Sequence, residues 1–165
     1  VRADTSARYR YLIILTARDG RAERLEGMAA GADDFLTKPI DQAELLARLR
    51  ALARRPSPAD TTDELRCGDI VLDMRGHTAR RGDSALDLTT TEWNLLECFM
   101  RHQGQALTRQ QILDYVWSYQ SDVQETMVDV YVSYLRRKLK VPRTASDPIA
   151  TVRGVGYRIV DGAGD

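Results

Sequence analysis

The segment of residues 128–139 constrains the fold most, because it joins an apolar stripe to a basic end. Val128, Val132, Leu135 and Leu139 recur at helical spacing, so they share one face of a predicted helix. We expect that face to pack on a core and the polar face to meet solvent or a partner. Taken alone, a solvated surface helix with a basic C-terminal end is the more common interpretation of such a segment.

A second basic element follows in residues 151–160. Alternation places Thr151 and Arg153 on one face of a predicted strand and Val152 on the other, and the glycines of residues 154–156 predict a tight turn. An ordinary surface hairpin would have the same pattern. A narrow minor groove, however, attracts an inserted arginine, and a hairpin tipped with arginine is suited to deliver one.

These two segments are part of a longer resemblance. Three segments of the chain resemble the winged helix-turn-helix effector domain of OmpR/PhoB-type response regulators. They are VDVYVSYLRRKL, TVRGVGYRI and the upstream stretch LTTTEWNLLECFMRHQGQALTRQQILDYVW. The pattern is long and ordered, which makes the resemblance specific. It implies a two-component transcriptional regulator that binds double-stranded DNA. The helix from about Glu125 would enter the major groove, and the hairpin would reach the adjacent minor groove.

The resemblance also assigns DNA-facing positions. These lie before the helix, along it and in the hairpin: Trp117, Thr126, Val130, Tyr131, Ser133, Tyr134, Arg136, Arg137, Thr151 and Arg153. Structural packing of Trp117 is at least as good an interpretation. Some relatives carry Arg at the positions of Thr126, Ser133 and Tyr134, so we expect low affinity from one module. The loop of residues 117–124 corresponds to a contact with RNA polymerase.

The charge distribution supports a nucleic-acid surface although the formal net charge is zero. Residues 125–160 hold seven Lys and Arg against three Asp and Glu, a net +4, whereas residues 56–124 hold six against eleven, a net −5. The positive charge therefore lies on the predicted helix and hairpin. Because so modest a patch would bind weakly at cellular salt, we expect a dimer on DNA.

The first 55 residues have an α/β pattern. Residues 11–15 and 34–37 are predicted strands, and Asp41 with Glu44 three positions later predicts the start of a helix. The stretches LIILTARD and GADDFLTKP resemble the last third of a receiver domain. The expected fold class is therefore α/β plus α+β. Residues 1–55 would be the C-terminal third of a doubly wound receiver domain, and residues 56–63 a linker. Residues 64–161 would be a winged helix-turn-helix DNA-binding domain with an N-terminal antiparallel sheet and a C-terminal hairpin.

Thr16 and Lys38 each follow a predicted strand, where a doubly wound sheet binds its ligands. From spacing alone, two polar surface residues are the favoured interpretation. The resemblance instead implies that Thr16 and Lys38 sense a phosphoryl group, that Phe35 is the switch aromatic, and that the bond before Pro39 is cis. The phosphate-accepting Asp and the acidic pair for Mg²⁺ would precede residue 1. We therefore expect no cofactor in this chain and a fragment of a longer protein, which a sensor histidine kinase would phosphorylate.

The same resemblance implies a homodimer through the receiver segment. The matching pairs are Arg24 with Glu44, Asp34 with Arg48, and Asp33 with Arg50. Solvated surface pairs are the alternative, each contributing only about 0–1 kcal/mol.

Other classes of protein fit less well. The sequence does not support an enzymatic function, because no Gly-rich phosphate loop and no pair of nucleophile and base is visible in it. A protein-binding winged helix remains a rival, which the arginine at the hairpin tip disfavours. The two cysteines and two isolated histidines predict neither a disulfide framework nor a metal site, and no apolar run is long enough for a membrane span. We expect a cytoplasmic protein.

Overall fold

The computed structural model describes residues 12–17, 20, 26–27, 32, 34–53, 64–117, 124–140 and 146–161. The chain divides into two compact units, Val1–Ser57 and Pro58–Asp165. Within the described ranges, no helix is long and apolar enough to cross a membrane.

The described residues of the first unit include two parallel strands and the helix that follows them. β1 (Ile13–Thr16) pairs with β2 (Asp34–Thr37) in a register that sets Ile13 opposite Asp34 and Thr16 opposite Thr37. α1 (Gln42–Ala53) follows, and the Asp41 carboxylate accepts a hydrogen bond from the Ala43 amide at 2.8 Å. Asp41 is therefore the N-cap, as predicted. The Lys38–Pro39 peptide bond is cis, as the resemblance implied.

The second unit begins with the predicted antiparallel sheet. Its four strands follow chain order: β3 (Glu64–Cys67), β4 (Ile70–Asp73), β5 (Thr78–Arg81) and β6 (Ser84–Leu86). Leu72, Ala79 and Leu86 lie opposite one another across three strands, and all three are buried. One face of this sheet therefore packs on the core of the unit, as alternating apolar residues in antiparallel strands require.

Three helices follow: α2 (Thr90–Arg101), α3 (Arg109–Trp117) and α4 (Thr126–Leu139). The sequence predicts Thr90 or Thr91 as the cap of α2, but the cap is Thr89, one residue before the first of these. The Thr89 hydroxyl accepts from the Glu92 amide at 3.3 Å, while the Glu92 carboxylate accepts from the Thr89 amide at 2.7 Å. Thr89 is the cap because a capping box requires an acidic residue three positions after the cap, and Glu92 lies at that position. The sequence also predicts Thr108 as the cap of α3, and the structure confirms it, since the Thr108 hydroxyl accepts from the Gln111 amide at 3.1 Å.

A second sheet closes the unit. Its strands are β7 (Leu107–Thr108), β8 (Ile149–Val152) and β9 (Gly156–Ile159), and β9 lies in the middle of the order β7–β9–β8. A Cβ on Gly156 would stand 2.1 Å from the Leu107 carbonyl oxygen, so only glycine allows β7 and β9 to approach this closely. Gly154, with φ of +73°, forms the turn between β8 and β9. We call the β8–β9 hairpin the wing.

Candidate nucleic-acid interface

α4 has one buried and one open face, as its sequence predicted. Val128, Val132, Leu135 and Leu139 are at most 1% exposed and form the contact with the core. Four residues with the same spacing lie on another side of the helix: Thr126, Val130, Ser133 and Arg137. Thr126, Ser133 and Arg137 are exposed, and Val130 is half-buried. We call these four residues the reading face, because they are available to a partner that approaches α4.

The Arg137 guanidinium lies over the aromatic ring of Tyr134. The guanidinium carbon lies 4.8 Å from the centroid of the Tyr134 ring, within the range of a cation–π contact. The contact restricts the directions that a long side chain can take, and it leaves the charge exposed at the edge of the reading face.

The tip of the wing is open. Arg153, Gly154 and Val155 are all exposed, and Val155 keeps 41% of its surface despite being apolar. Within the part of the chain that the structure describes, Arg153 makes no hydrogen bond or ion pair. Its charge is therefore not neutralised by those residues, and the side chain is free to extend to a ligand.

Two predicted DNA-facing residues are in the core instead. Trp117 and Tyr131 are each 1% exposed, and their ring centroids lie 5.2 Å apart. A side chain so fully buried offers no surface to a duplex, so the prediction of DNA contact is wrong for both. Tyr131 lies three residues after Val128, beside the apolar stripe, and burying a large aromatic ring there stabilises the junction of α3 and α4.

Arg136, also predicted to face DNA, is bound within the protein. Its Nη2 donates to the Ile149 carbonyl at 2.6 Å and to the Thr151 hydroxyl at 2.9 Å, and its Nε lies 3.1 Å from the Asp147 carboxylate. Arg136 thus attaches α4 to β8 and is largely unavailable for a phosphate contact. Thr151 is exposed, as predicted, but it is also a partner of this attachment.

A second attachment, which sequence reasoning missed, lies two turns earlier on α4. Asp129 accepts from the Tyr157 hydroxyl at 2.6 Å and from Arg109 Nε at 2.8 Å. The guanidinium groups of Arg109 and Arg136 lie 5.3 and 5.5 Å from the centroid of the Tyr157 ring. Burial, together with the hydrogen bond to Asp129, raises the pKa of Tyr157. Helix α4, the start of α3 and the wing are thereby held as one arrangement.

The basic end of α4 is partly neutralised as well. Lys138 Nζ donates to the Glu92 carboxylate at 2.6 Å, and this carboxylate is also the acid of the capping box. Glu92 is only 4% exposed, so its charge is compensated by hydrogen bonds and by the lysine rather than by water. Of the three arginines predicted to face DNA, Arg137 and Arg153 are exposed, whereas Arg136 is bound within the protein.

The residues predicted for phosphoryl sensing lie in the first unit. Thr16 ends β1 and Lys38 follows β2, and the Lys38 amide donates to the Thr16 carbonyl at 2.7 Å. The two residues are therefore neighbours at one edge of the strand pair, as expected, with the Lys38 side chain exposed. Phe35 lies in β2, and its side chain is outside the described residues.

The predicted dimer contacts remain predictions. Arg24 and Asp33 lie outside the described residues, as do the side chains of Asp34 and Arg48. Glu44 and Arg50 are exposed on α1. Most of the loop that would meet RNA polymerase, residues 118–123, is also outside the described residues.

The described residues contain no cluster of three or more His, Cys, Asp or Glu side chains that could hold a metal ion. Cys67 and Cys98 are free thiols in the core. Burial raises the pKa of Cys67 to about 11 and that of Cys98 to about 12.

A helix pair whose second helix is flanked by a β-hairpin defines a winged helix-turn-helix domain. The family model described as "Transcriptional regulatory protein, C terminal" matches residues 83–159. Transcriptional regulatory protein TrcR of Mycobacterium tuberculosis is 43% identical over 155 residues, which cover 92% of this chain and 59% of TrcR. Phosphate regulon transcriptional regulatory protein PhoB of Rhizobium meliloti is 43% identical over 148 residues, which cover 90% of this chain and 65% of PhoB. The chain thus spans about three fifths of the length of these relatives.

Solved structures show the same similarity. A cysteine-to-serine mutant of RitR superposes with a TM-score of 0.73 at 32% identity, over 92% of this chain and 68% of RitR. The DNA-binding domain of Klebsiella pneumoniae RstA, solved in complex with the RstA box, superposes with a TM-score of 0.52 at 27% identity, over 61% of this chain and 99% of that domain. The chain belongs to the OmpR/PhoB family of response regulators.

Proposed function

We propose that the protein is a sequence-specific transcriptional regulator that binds double-stranded DNA. The reading face of α4 would lie in the major groove, and the tip of the wing would place Arg153 in the adjacent minor groove. The observation that carries this proposal is the joint exposure of the reading face and of Arg153, on two elements held together by Asp129 and Arg136. The RstA structure supports it, since a domain of the same fold is seen there on its DNA site.

The side chains divide into two roles in this proposal. Ser133 and Tyr134, with Thr126 and Val130, would contact base edges, where polar and apolar groups discriminate sequence. Arg137 and Arg153 would supply the electrostatic contribution. Because Arg136 and Lys138 are committed to internal pairs, we expect one copy to bind weakly.

Control of binding belongs to the longer protein in this proposal. A sensor histidine kinase would phosphorylate an aspartate of the complete receiver domain with Mg²⁺ bound, and Thr16 and Lys38 would sense the phosphoryl group. Pairs such as Arg24 with Glu44 would join two copies on neighbouring DNA sites. Contact with RNA polymerase would come from the loop after Trp117. We propose no catalytic activity for this chain.

The test is selection of duplexes from a random library by the full chain, followed by affinity measurement from about 50 to 300 mM salt, conditions at which phosphate contacts change affinity strongly. We expect an enriched sequence that binds more tightly than a mixed-sequence duplex, with affinity falling as salt rises. A protein-binding winged helix, the second candidate, would enrich no sequence and show no salt-dependent binding to either duplex. That result would overturn the proposal.

A further inference from the structure

Arg81, the last residue of β5, is a charged side chain that is only 2% exposed. Its Nε donates to the Asp69 carboxylate at 3.0 Å. Its other two nitrogens donate to backbone carbonyls far along the chain: Nη1 to Leu139 at 2.6 Å and Nη2 to Ser146 at 2.9 Å. A guanidinium can hold three such partners because its planar fork fixes the directions of its donors.

The Leu139 carbonyl belongs to α4, and the Ser146 carbonyl lies three residues before β8 of the wing, so each adjoins an element proposed to contact DNA. Leu139 is the last residue of α4, where helix carbonyls have no partner inside the helix and the helix dipole favours a cation. Ser146 directly precedes Asp147, whose carboxylate pairs with Arg136 and accepts from the Ile149 amide at 3.0 Å as β8 begins. One buried side chain therefore fixes both the end of α4 and the entry to the wing.

We propose that Arg81 is a positioning residue for DNA binding, an inference that rests on the proposed function. By bridging Leu139 and Ser146, it sets the position of α4 relative to the wing. A major groove and the adjacent minor groove must be met at the same time, so a shift of one element would weaken both sets of contacts. Buried as it is, Arg81 itself touches no DNA.

Arg80 provides a matched control. It precedes Arg81 on β5 but is exposed, and its Nη1 donates to the Gly82 carbonyl within the adjoining turn. R81M and R80M each remove one positive charge from neighbouring positions, so their general electrostatic effects are similar. The affinity of each full chain is measured for the duplex selected by the wild type, at a temperature well below both unfolding midpoints.

We expect R81M to bind about tenfold more weakly than R80M, a loss similar to that of one base contact. The dependence on salt should remain that of R80M, because no phosphate contact is lost. Amide exchange should quicken at Lys140 and Val160, whose amides donate to the Arg136 and Pro148 carbonyls at the two ends that Arg81 joins. A merely structural role would quicken exchange across the whole unit instead. Equal affinities of folded R81M and R80M overturn the inference.

If R81M does not fold, R81K decides the matter. Lysine keeps the charge, but one ammonium group lacks the fork that reaches Asp69 and both carbonyls. We expect R81K to bind more weakly than the wild type, and wild-type affinity in folded R81K overturns the inference. A wild-type chain that binds no duplex refutes the proposed function, and this inference with it. A wild type that binds, with R81M equal to R80M, refutes this inference alone.

Discussion

The Tyr157 hydroxyl donates a hydrogen bond to the Asp129 carboxylate at 2.6 Å, which joins β9 of the wing to α4. Tyr157→Phe keeps the ring that Arg109 and Arg136 contact but removes this bond. We expect the free energy of unfolding to fall by about 1.5 kcal/mol, the lower end for a bond to a charged group, because Asp129 is partly exposed. Urea denaturation measures this, with Tyr134→Phe as the control. Equal midpoints for the two variants would show that the bond adds nothing to stability.

Thr89 caps α2, although two further threonines follow it. Thr89→Ala removes the hydroxyl that accepts from the Glu92 amide, so we expect a loss of about 1 kcal/mol in stability. Thr90→Ala is the matched control, because Thr90 lies inside the helix, where alanine is favoured. Thermal unfolding of both variants is the measurement. A larger loss from Thr90→Ala would contradict the assignment of the cap.

Tyr131 and Ser133 lie on different sides of α4, although both were predicted to face DNA. Tyr131→Ala empties a site in the core, so we expect a loss of about 3–5 kcal/mol in folding stability, as for other large aromatic residues. Ser133→Ala should leave stability within about 0.5 kcal/mol, since the residue is exposed, but change the sequence selected from random DNA. Denaturation and selection, made on both variants, separate the roles. A wild-type unfolding midpoint for Tyr131→Ala would contradict the assignment of Tyr131 to the core.

Arg153 tests the role of the wing. Arg153→Ala should weaken DNA binding and reduce the slope of log affinity against log salt by about one unit, the effect of one lost phosphate contact. Arg66→Ala is the control, because it removes the same charge from β3, where Arg66 pairs with Glu64. Titrations at several salt concentrations measure the slope. If Arg153→Ala and Arg66→Ala have equal slopes, the wing makes no such contact.

The two thiols should be unreactive in the folded protein. Burial raises the pKa of Cys67 to about 11 and of Cys98 to about 12, so little thiolate exists at about pH 8. A thiol-specific chromogenic reagent should modify them only after denaturation, whereas a Ser133→Cys variant should react at once through its added thiol. Because both folded pKa values exceed the unfolded value of about 8.5, their contribution to stability is fully present below that pH. It is lost as pH rises to about 11–12, which urea midpoints measured from about pH 8 upward can follow.

Local patterns predicted the elements well, and partners distant in sequence account for most of what was missed. The stripe of Val128, Val132, Leu135 and Leu139 depends only on helical spacing, so its burial followed directly from the sequence. Helical spacing also places Tyr131 beside that stripe, three residues after Val128, whereas the family resemblance implies that it faces DNA.

Arg136 and Arg81 carried no local signal of their roles. Arg136 finds its carbonyl partner 13 residues away, and Arg81 finds its two carbonyls 58 and 65 residues away. A contact with a backbone carbonyl leaves no complementary charge in the sequence to reveal it, and the acidic partners Asp147 and Asp69 do not by themselves indicate which elements are joined. The cap at Thr89 was missed for a different reason, since three consecutive threonines are chemically equivalent and only the spacing to Glu92 distinguishes them.

The close approach of Gly156 to Leu107 also limits where this domain can be altered. At residue 156 any side chain would push β7 away from β9, whereas a Cβ at Gly154 would meet nothing within 4 Å. Changes to the wing are therefore better tolerated at its exposed tip than at Gly156. An attempt to engineer a new binding preference should exchange Arg153 and Val155, keep Gly154 because its φ is +73°, and leave β9 unchanged.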